Sequence, residues 1–424
     1  MGYRYYIRLF YWFVVAVIGM NFQTTAQVSD VVFENFSMND GLTHNTITSL
    51  FQDSKGYIWI GTTSGLNRFD GRVMKEYKNE PLDSKSLSNN RINSICEDAK
   101  GNLWLATEYG LNCYDRTLGE FEIFTHDEKN ENSLSSNVVY NVFCDSKNKI
   151  WVKTIKTVDL YDPITKKFKH YDHYYDVFNP LPENPNFPFF EDSKGVLWVA
   201  TNDGLDMFDQ QYEQFVRFES NPVISTSISD NQVKCLFEDS RHNLWVGTSH
   251  GLNKFNRTDK TFERLKIFPG NTQDAVNAIV EDNNYNLWIA SGESGLIKMD
   301  HVKKTIQVFK QNIDASKSIP NNNLYCLLKD KSEIIWIGTR TGLSKMDSKK
   351  KKFNLYCNTR ESIFTLSGND ITSLLADKDE DIFVGTRNEG ITMINRLKKV
   401  ARYYTTSNHK INDKHVNVLY RTHD

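Results

Sequence analysis

The chain has 424 residues, of which 39% are hydrophobic and 25% are charged, and its formal net charge is −2. This length and apolar content are enough for a large buried core. With a pI of about 6.6, the chain has no basic surplus of the kind by which proteins bind nucleic acid or an anionic membrane. Composition therefore excludes neither an enzyme nor a binding protein, but it favours no nucleic-acid partner.

The first 26 residues have the pattern of an export signal. Arg4 and Arg8 precede an apolar run over residues 10–20, and Thr24-Thr25-Ala26 follows it. This predicts a signal peptide over 1–26, cleavage after Ala26 and a location outside the cytoplasm. The alternative is an uncleaved membrane anchor, for which the apolar run is short.

The first predicted strand is Phe33-Glu34-Asn35-Phe36, which stands before any repeat. Strands of the same form, Phe-x-x-aromatic, end later repeats at Phe121–Phe124, Phe168–Tyr171, Phe215–Phe218 and Phe353–Tyr356. Strand 33–36 therefore belongs to no repeat of its own, and we expect it to pair with a strand of a repeat that is distant in sequence.

One phrase recurs from residue 53 onward. An apolar strand is followed by an Asp, a turn, Leu/Ile-Trp-Ile/Val-Gly/Ala-Thr, a Gly-Leu pair and an aromatic-Asp pair. Seven tryptophans mark the phrase and are spaced 43 to 48 residues apart: Trp59, Trp104, Trp151, Trp198, Trp245, Trp288 and Trp336. In an eighth copy Phe383 takes the place of the tryptophan. A fixed period of this length with strand-like content is typical of propeller blades.

Each period contains four short strands with apolar residues at alternate positions. In the fifth copy they are Val233–Phe237, Asn243–Thr248, Leu252–Phe255 and Thr261–Leu265. No sustained period of 3.6 residues occurs after residue 26, so we expect no long helix there. The predicted fold is all-β, built from four-stranded antiparallel blades whose radial stacking buries both faces of each sheet.

The seven tryptophan repeats predict one seven-bladed β-propeller over residues 27–358, closed by strand 33–36 as the outer strand of its last blade. Residues 359–424 predict the start of a second propeller, with one blade and an incomplete second blade beginning at Val416. Because a blade of one strand exposes an unpaired edge, we expect the chain to be the front part of a longer protein.

The invariant positions of the phrase have structural explanations. The Gly of each Gly-Leu pair suits a turn with positive φ, and the repeated Asp is predicted to accept backbone N–H bonds in the turn after it. These carboxylates recur in every copy, at Asp53, Asp98, Asp145, Asp192, Asp239, Asp282, Asp330 and Asp377. Since active sites are asymmetric, we predict no catalytic residue among them, and the sequence singles out no other carboxylate group.

Six cysteines lie in different repeats without paired spacing, at Cys96, Cys113, Cys144, Cys235, Cys326 and Cys357. We interpret them as packing residues. No Cys/His spacing typical of a metal site is present, so neither a metal nor another cofactor is predicted.

Several segments resemble the opening of the two-component regulator propeller sensors, the periplasmic halves of hybrid two-component systems of Bacteroidetes. They are Asn39-Asp40-Gly41-Leu42, Gln52-Asp53, and the stretches 56–62 and 65–71. The resemblance covers residues 31–424. In that family two seven-bladed propellers precede an immunoglobulin-like domain, a transmembrane helix and kinase, receiver and DNA-binding domains, and its members sense glycans to control polysaccharide-utilisation genes.

The resemblance implies an oligosaccharide ligand for this chain and a homodimer for the full-length sensor, a histidine kinase. It implies no nucleic-acid contact for this region, and membrane attachment only through a missing downstream span or an uncleaved N-terminus. The sequence has no phosphoacceptor His-Glu box, no Gly-rich ATP lid and no receiver pocket. The chain itself is therefore not expected to be an enzyme.

The third repeat departs most from the consensus. Lys153 stands where other copies have Gly or Ala, and an aromatic stretch with His173, Tyr174 and Tyr175 precedes a Pro-rich run. Aromatic faces stack on pyranose rings and polar groups bind their hydroxyls. These four residues are our ligand-binding candidates; the alternative is a decayed blade with a longer loop.

Two other functions stay open. A propeller glycosidase or lyase needs a unique acid/base pair or an Arg cluster facing the channel, and a scaffold needs only a flat face that binds protein partners. Binding of a glycan with no product formed would distinguish the sensor from both the enzyme and the scaffold.

Overall fold

The computed structural model describes residues 23–24, 31–172, 188–269, 273–300, 305–312, 317–347, 358, 365–377, 381–395, 400–408 and 410–422. Within these residues the fold is all-β, as predicted, and the one helix is a 3-10 turn, Met38–Asp40. No helix among them is long and apolar enough to cross a membrane. The chain divides into two compact units, residues 1–349 and 350–424. The predicted signal peptide lies outside the described residues, apart from the backbone of 23–24.

The first unit contains seven sheets, numbered here in chain order. The strands that precede them are β1 (Gln23–Thr24) and β2 (Phe33–Phe36). Sheet 1 contains β3 (Ile47–Gln52), β4 (Ile58–Thr62), β5 (Gly65–Phe69) and β6 (Met74–Tyr77), and sheet 2 contains β7 (Ile92–Glu97), β8 (Leu103–Thr107), β9 (Gly110–Asp115) and β10 (Glu120–Phe124). Sheet 3 contains β11 (Val139–Cys144), β12 (Ile150–Thr154), β13 (Thr157–Asp162) and β14 (Lys167–Asp172). Sheet 4 contains β15 (Phe189–Glu191), β16 (Leu197–Ala200), β17 (Leu205–Asp209) and β18 (Gln214–Phe218).

Sheets 5 to 7 continue the same order. Sheet 5 contains β19 (Val233–Glu238), β20 (Leu244–Thr248), β21 (Gly251–Asn256) and β22 (Thr261–Leu265). Sheet 6 contains β23 (Val276–Glu281), β24 (Asn286–Ser291), β25 (Leu296–Asp300) and β26 (Thr305–Phe309), and sheet 7 contains β27 (Leu324–Lys329), β28 (Ile334–Thr339) and β29 (Gly342–Asp347). Within each of these groups, strands consecutive in the chain pair antiparallel as a meander. The four strands predicted for the fifth repeat are confirmed.

Strand β2 completes sheet 7. It pairs antiparallel with β29, with Phe33 opposite Met346 and Phe36 opposite Leu343. This is the long-range pairing predicted for residues 33–36. Strand β1 pairs in parallel with β26 in sheet 6. The first strands of sheets 1 to 7 contact one another in chain order, and that of sheet 7 contacts that of sheet 1. This arrangement is consistent with propeller blades.

The core lies between neighbouring sheets, and the repeat tryptophans form its centre. All seven are buried, with 1–4% of each side chain exposed. Each indole Nε1 donates to the carboxylate of the Asp six residues earlier, at 2.7–3.1 Å. The same Asp also accepts backbone N–H bonds from its turn, as at Asp53, where Tyr57 N lies 2.9 Å from Oδ1. The predicted role of the Asp is confirmed, with the indole as an additional partner.

The glycines of the phrase hold positions where a side chain would clash. At Gly110, φ is 98° and a Cβ would lie 2.6 Å from the carbonyl oxygen of Phe124. At Gly61, a Cβ would lie 3.0 Å from Ile92, the first residue of the next sheet. The first position needs a left-handed turn, and the second needs room between two sheets.

The cysteine interpretation is wrong for one pair. Cys96 on β7 and Cys144 on β11 form a disulfide between sheets 2 and 3. The two residues lie 48 apart in sequence but on first strands that contact each other, which the spacing did not indicate. Cys113, Cys235 and Cys326 are free and buried, as expected for packing residues.

The second unit contains sheet 8, formed by β30 (Ile371–Ala376), β31 (Asp381–Thr386), β32 (Ile391–Asn395) and β33 (Val400–Tyr404). Phe383 is half-buried opposite Leu375, in the place of the tryptophan. Residues 416–420, the predicted start of a further blade, form no strand, although Val416 N donates to Thr386 O at 3.1 Å. The predicted strand 353–356 lies outside the described residues.

Candidate functional site

One of the four ligand-binding candidates lies in the described part of the chain. Lys153 is on β12 of sheet 3, and its side chain is fully buried. His173, Tyr174 and Tyr175 lie outside the described residues, directly after β14 ends at Asp172. Because its side chain is fully buried, Lys153 is not placed to contact a ligand at the surface.

Sheet 3 differs from the other sheets at this position, and the first strand of the sheet that follows it differs as well. Where the position holds Gly, a Cβ would meet the first residue of the next sheet, such as Val276 at 2.6 Å from Gly247 or Ile47 at 2.8 Å from Gly338. Strand β15 has only three residues, whereas the first strands of the other six sheets of the first unit have six. Lys153 therefore lies in the sheet that precedes the shortest first strand of the unit.

Around Lys153 lies a group of ionisable side chains that the repeat does not explain. We call it the buried charged cluster, and it consists of Lys153, Asp159 and His170 of sheet 3 and Asp206 and Arg217 of sheet 4. Asp159 and Asp206 are 0% and 1% exposed. They occupy the third-strand position where sheets 1, 2 and 5 have Asn67, Asn112 and Asn253.

The asparagines at this position hold a turn, and Asp159 keeps that role while adding a charge. Asn67 Oδ1 accepts Thr43 N at 2.9 Å, and Asp159 Oδ2 accepts Ser135 N at the same distance. His170 Nδ1 lies 2.8 Å from Asp159 Oδ1, and Nε2 lies 2.9 Å from the carbonyl oxygen of Glu131. Both neighbours are acceptors, so both contacts are hydrogen bonds when each ring nitrogen carries a proton, as in an imidazolium. The hydrogen bond to Asp159 raises the pKa of His170.

Asp206 is held by a forked guanidinium. Arg217 Nε and Nη2 donate to its two oxygens at 2.8 and 2.9 Å, which is the strong bidentate geometry. The hydrogen bond to Asp206 raises the pKa of Arg217. Both buried carboxylates of the cluster are therefore bound to a cation of their own sheet.

Lys153 is the group of the cluster with the strongest perturbation. Burial lowers the pKa of its ammonium to about 7, against the attraction of Asp206, and Arg217 lowers it further. Near neutral pH the amine is therefore divided between its charged and uncharged forms. A charge brought close to this cluster would shift that balance, so the site is suited to respond to a ligand electrostatically.

The cluster lies beside a central cavity. The first strands enclose about 410 Å³, and the polar side chains that line this cavity are Ser49, Ser94, Glu97, Asn141, Lys234, Asn277 and Tyr325. Asn141 pairs with Lys153 in the ladder of β11 and β12, so it connects the cavity wall to the cluster. Burial lowers the pKa of Lys234. The cavity is large enough for a small polar ligand.

Apart from Lys153, sequence reasoning missed this cluster, because its members belong to two different repeats that only the fold brings together. The available signal was the change from Asn to Asp in the third residue of the Gly-Leu-Asn register, at Asp159 and Asp206. Among the described residues no group of three or more His, Cys, Asp or Glu side chains is arranged to hold a metal ion.

Comparisons with known proteins agree with this architecture. The sequence model of the family described as "Two component regulator propeller" matches residues 41–64, 86–109, 227–250 and 318–341, each containing a repeat tryptophan. A protein named histidine kinase P4, from Formosa agariphila, is 45% identical over 62 residues, which is 15% of this chain and 4% of that protein.

Solved structures show the same fold. The extracellular domain of hybrid two component system BT3049 from B. thetaiotaomicron superimposes with a TM-score of 0.66 at 24% identity, over 88% of this chain and 49% of that one. The extracellular domain of BT4673 from the same organism gives 0.62 at 20%, over 92% and 50%. Virginiamycin B lyase from Staphylococcus aureus gives 0.55 at 12%, over 75% and 99%.

This chain spans about half the length of the two extracellular domains, and identities this low show a shared fold. The four matched segments are more specific, because they contain the turn and the tryptophan strand by which the resemblance was predicted. Four segments of the chain therefore match the repeat of the two-component regulator propeller family, to which the resemblance had pointed.

Proposed function

We propose that this chain is the exported ligand-sensing region of a two-component sensor, and that it binds an oligosaccharide without transforming it. The observation that carries the proposal is the match of four repeats to the two-component regulator propeller family. The fold likeness to extracellular domains of hybrid two component systems supports it. In this proposal the parent protein is a homodimeric histidine kinase that controls polysaccharide-utilisation genes.

The proposed architecture assigns sheets 1 to 7 to one closed seven-bladed propeller and sheet 8 to the start of a second one, with the boundary near residue 358. Support comes from β2, which joins sheet 7, and from the cyclic contacts of the first strands. The location is the periplasm, reached through the signal peptide over 1–26. Attachment to the membrane is through the parent's downstream span or an uncleaved N-terminus.

The proposed binding surface is the edge of sheets 3 and 4. His173, Tyr174 and Tyr175 directly follow β14, the strand that carries His170 of the buried charged cluster. Aromatic and imidazole side chains suit stacking and hydrogen bonding to a sugar. Lys153 is assigned an indirect role here: it sets the charge of the buried charged cluster and does not itself contact the glycan.

The test is calorimetric titration of the purified chain with a panel of defined glycan fragments, with chromatography of the mixtures afterwards. Binding of one fragment class without product supports the sensor, and replacing both Tyr174 and Tyr175 by Ala should then weaken it by about tenfold or more. Tyr212→Ala, at an exposed tyrosine of the β17–β18 turn, is the matched control and should bind normally.

Two other outcomes would overturn the proposal. Release of a product would favour a propeller enzyme, a class for which the fold likeness to virginiamycin B lyase is a precedent. No heat with any fragment, from a chain shown by circular dichroism to be folded, would favour a scaffold that binds proteins.

A further inference from the structure

Within the described residues, two pairs of neighbouring sheets are each joined by a half-buried arginine. Arg116, the residue after β9, places Nη2 3.0 Å from Asp53 Oδ2 and 3.0 Å from Glu97 Oε1. Its side chain is 11% exposed. The guanidinium thus neutralises one carboxylate from sheet 1 and one from sheet 2.

Sheets 4 and 5 repeat this arrangement. Arg257, the residue after β21, donates from Nη1 to Asp192 Oδ2 at 2.5 Å and from Nη2 to Glu238 Oε1 at 2.8 Å. Its side chain is 20% exposed. The position therefore selects a flat cation that lies between an Asp and a Glu of adjacent sheets.

Sheets 3 and 4 have the same pair of carboxylates, Asp145 and Glu191. Asp145 Oδ2 accepts Trp151 Nε1 at 2.9 Å, as Asp53 accepts Trp59. Glu191 accepts the backbone N and the Oγ of Ser146 at 2.7 Å each, as Glu97 accepts those of Ser54 at 2.6 Å. The two carboxylates are therefore oriented as in the arginine-bridged pairs.

The arginine itself is replaced at this interface. The residue after β17 is Gln210, whose Nε2 lies 3.3 Å from Gly195 O and whose Oε1 lies 3.5 Å from Lys147 Nζ. A glutamine is shorter than an arginine and carries no charge, so it does not supply the cation that the other two interfaces have.

A cavity of about 150 Å³ lies at this place. Asp145, Glu191 and Gln210 line it, together with Trp151, Tyr171 and Phe208. A lining that contains both carboxylates and aromatic rings suits a guanidinium, since it forms forked hydrogen bonds and stacks on rings.

We propose that this cavity binds a guanidinium group from outside the chain, the side chain of an arginine on a protein partner. Two observations carry the assignment: the cavity itself, and the guanidinium held by the equivalent carboxylates at two other interfaces of the same molecule. Lys147 and Lys149, which also line the cavity, are point charges without the planar fork, so they do not substitute for it. The proposal is independent of glycan sensing.

The probe is arginine blocked at both ends, titrated at millimolar concentrations into the purified chain and followed by calorimetry, with blocked citrulline and blocked lysine in parallel. Citrulline has the same shape without the charge, so it should bind at least about tenfold more weakly. A short peptide with one central arginine should bind more tightly than blocked arginine, because a protein partner would add contacts around the cavity.

The decisive variant is Gln210→Arg, which places in the cavity the residue that sheets 2 and 5 already have. It should fold, unfold at a higher temperature than the wild type and lose binding of blocked arginine by about tenfold or more. Gln211→Arg is the matched control: it adds the same charge at the exposed neighbouring residue, which does not line the cavity, and it should keep that binding.

Three results would overturn the proposal: equal affinity for arginine and citrulline, unchanged binding by a folded Gln210→Arg variant, or no binding of blocked arginine at all. Binding of blocked arginine without a gain for the peptide would overturn the assignment to a protein partner and leave a free guanidino compound as the ligand.

Discussion

The pairing of Asp and Trp within each repeat shows how one residue can hold both a turn and a core. Asp239 accepts Trp245 Nε1 at 2.9 Å and the backbone N of Asn243 at 2.9 Å. The indole is 2% exposed, so no water can replace this acceptor. A buried donor that is left without an acceptor destabilises the folded state by the full desolvation penalty of the group.

We therefore expect Asp239→Ala to lower the free energy of unfolding by about 1–3 kcal/mol. Urea unfolding followed by tryptophan fluorescence measures it. Glu120→Ala removes an exposed carboxylate paired with Lys85 and should change stability by less than about 0.5 kcal/mol. Equal effects of the two variants would show that the indole bond does not stabilise the core.

Lys153 should make stability depend on pH. Its folded pKa is about 7 and its ordinary value is 10.5, so between these values the unfolded chain binds more protons and the free energy of unfolding rises with pH. The slope is at most about 1.4 kcal/mol per pH unit. Relative to Lys153→Met, the wild type should gain stability from about pH 7 to about pH 10.

The control for this experiment is Lys85→Met at an exposed lysine. Its unfolding curves should stay parallel to those of the wild type over the same pH range. Parallel behaviour of Lys153→Met would mean that Lys153 is charged in the folded protein, against the burial seen here.

At the scale of the element, the first strands are the part of each sheet that links neighbours. In sheets 1, 2, 3, 5, 6 and 7 each has a bulge after its first residue. The residue in the bulge is aimed at the next sheet, as where Asn93 Nδ2 donates to Val139 O at 2.8 Å and Asn277 Nδ2 to Leu324 O at 2.7 Å. Such bulges redirect side chains at the cost of one ladder bond.

The disulfide is a covalent version of this link. Because Cys96–Cys144 closes a loop across 48 residues, replacing both cysteines by Ser should lower the free energy of unfolding by about 2–4 kcal/mol. A reductant should destabilise the wild type similarly and leave the double variant unchanged. Mass spectrometry of an unreduced digest tests the pairing directly, and a wild type insensitive to reductant would contradict this expectation.

At the scale of the whole molecule, strand β2 joins the two ends of the first unit. Phe33 is 5% exposed and packs on Phe309 with ring centroids 6.0 Å apart. It lies in the same apolar cluster as Trp288 and Met346. The N-terminal strand thus ties sheet 7 to the segment that leads into sheet 1.

Phe33→Ala should therefore lower the free energy of unfolding by about 3–5 kcal/mol, measured by urea unfolding of the whole chain. Val32→Ala, at the preceding residue with 44% exposure, is the control and should have an effect below about 0.5 kcal/mol. Similar effects of both would mean that β2 contributes little to closure.

The sequence by itself determined the repeat, the strand order within each sheet and the place of β2. These depend on local chemistry that returns at a fixed spacing: a tryptophan that must be buried, a turn that needs glycine, an Asp that accepts N–H groups. Such signals are readable because the same physical requirement is met in every copy.

Only the tertiary structure decided which departures from the repeat lie together. Asp159 and Asp206 are 47 residues apart, and Cys96 and Cys144 are 48 residues apart, so each pair is separated by about one repeat. Stacking of adjacent sheets brings equivalent positions into contact, whereas the sequence shows each change alone. The buried charged cluster exists because two neighbouring repeats both changed from Asn to Asp, and the carboxylate pair beside Gln210 lacks an arginine because one repeat changed there.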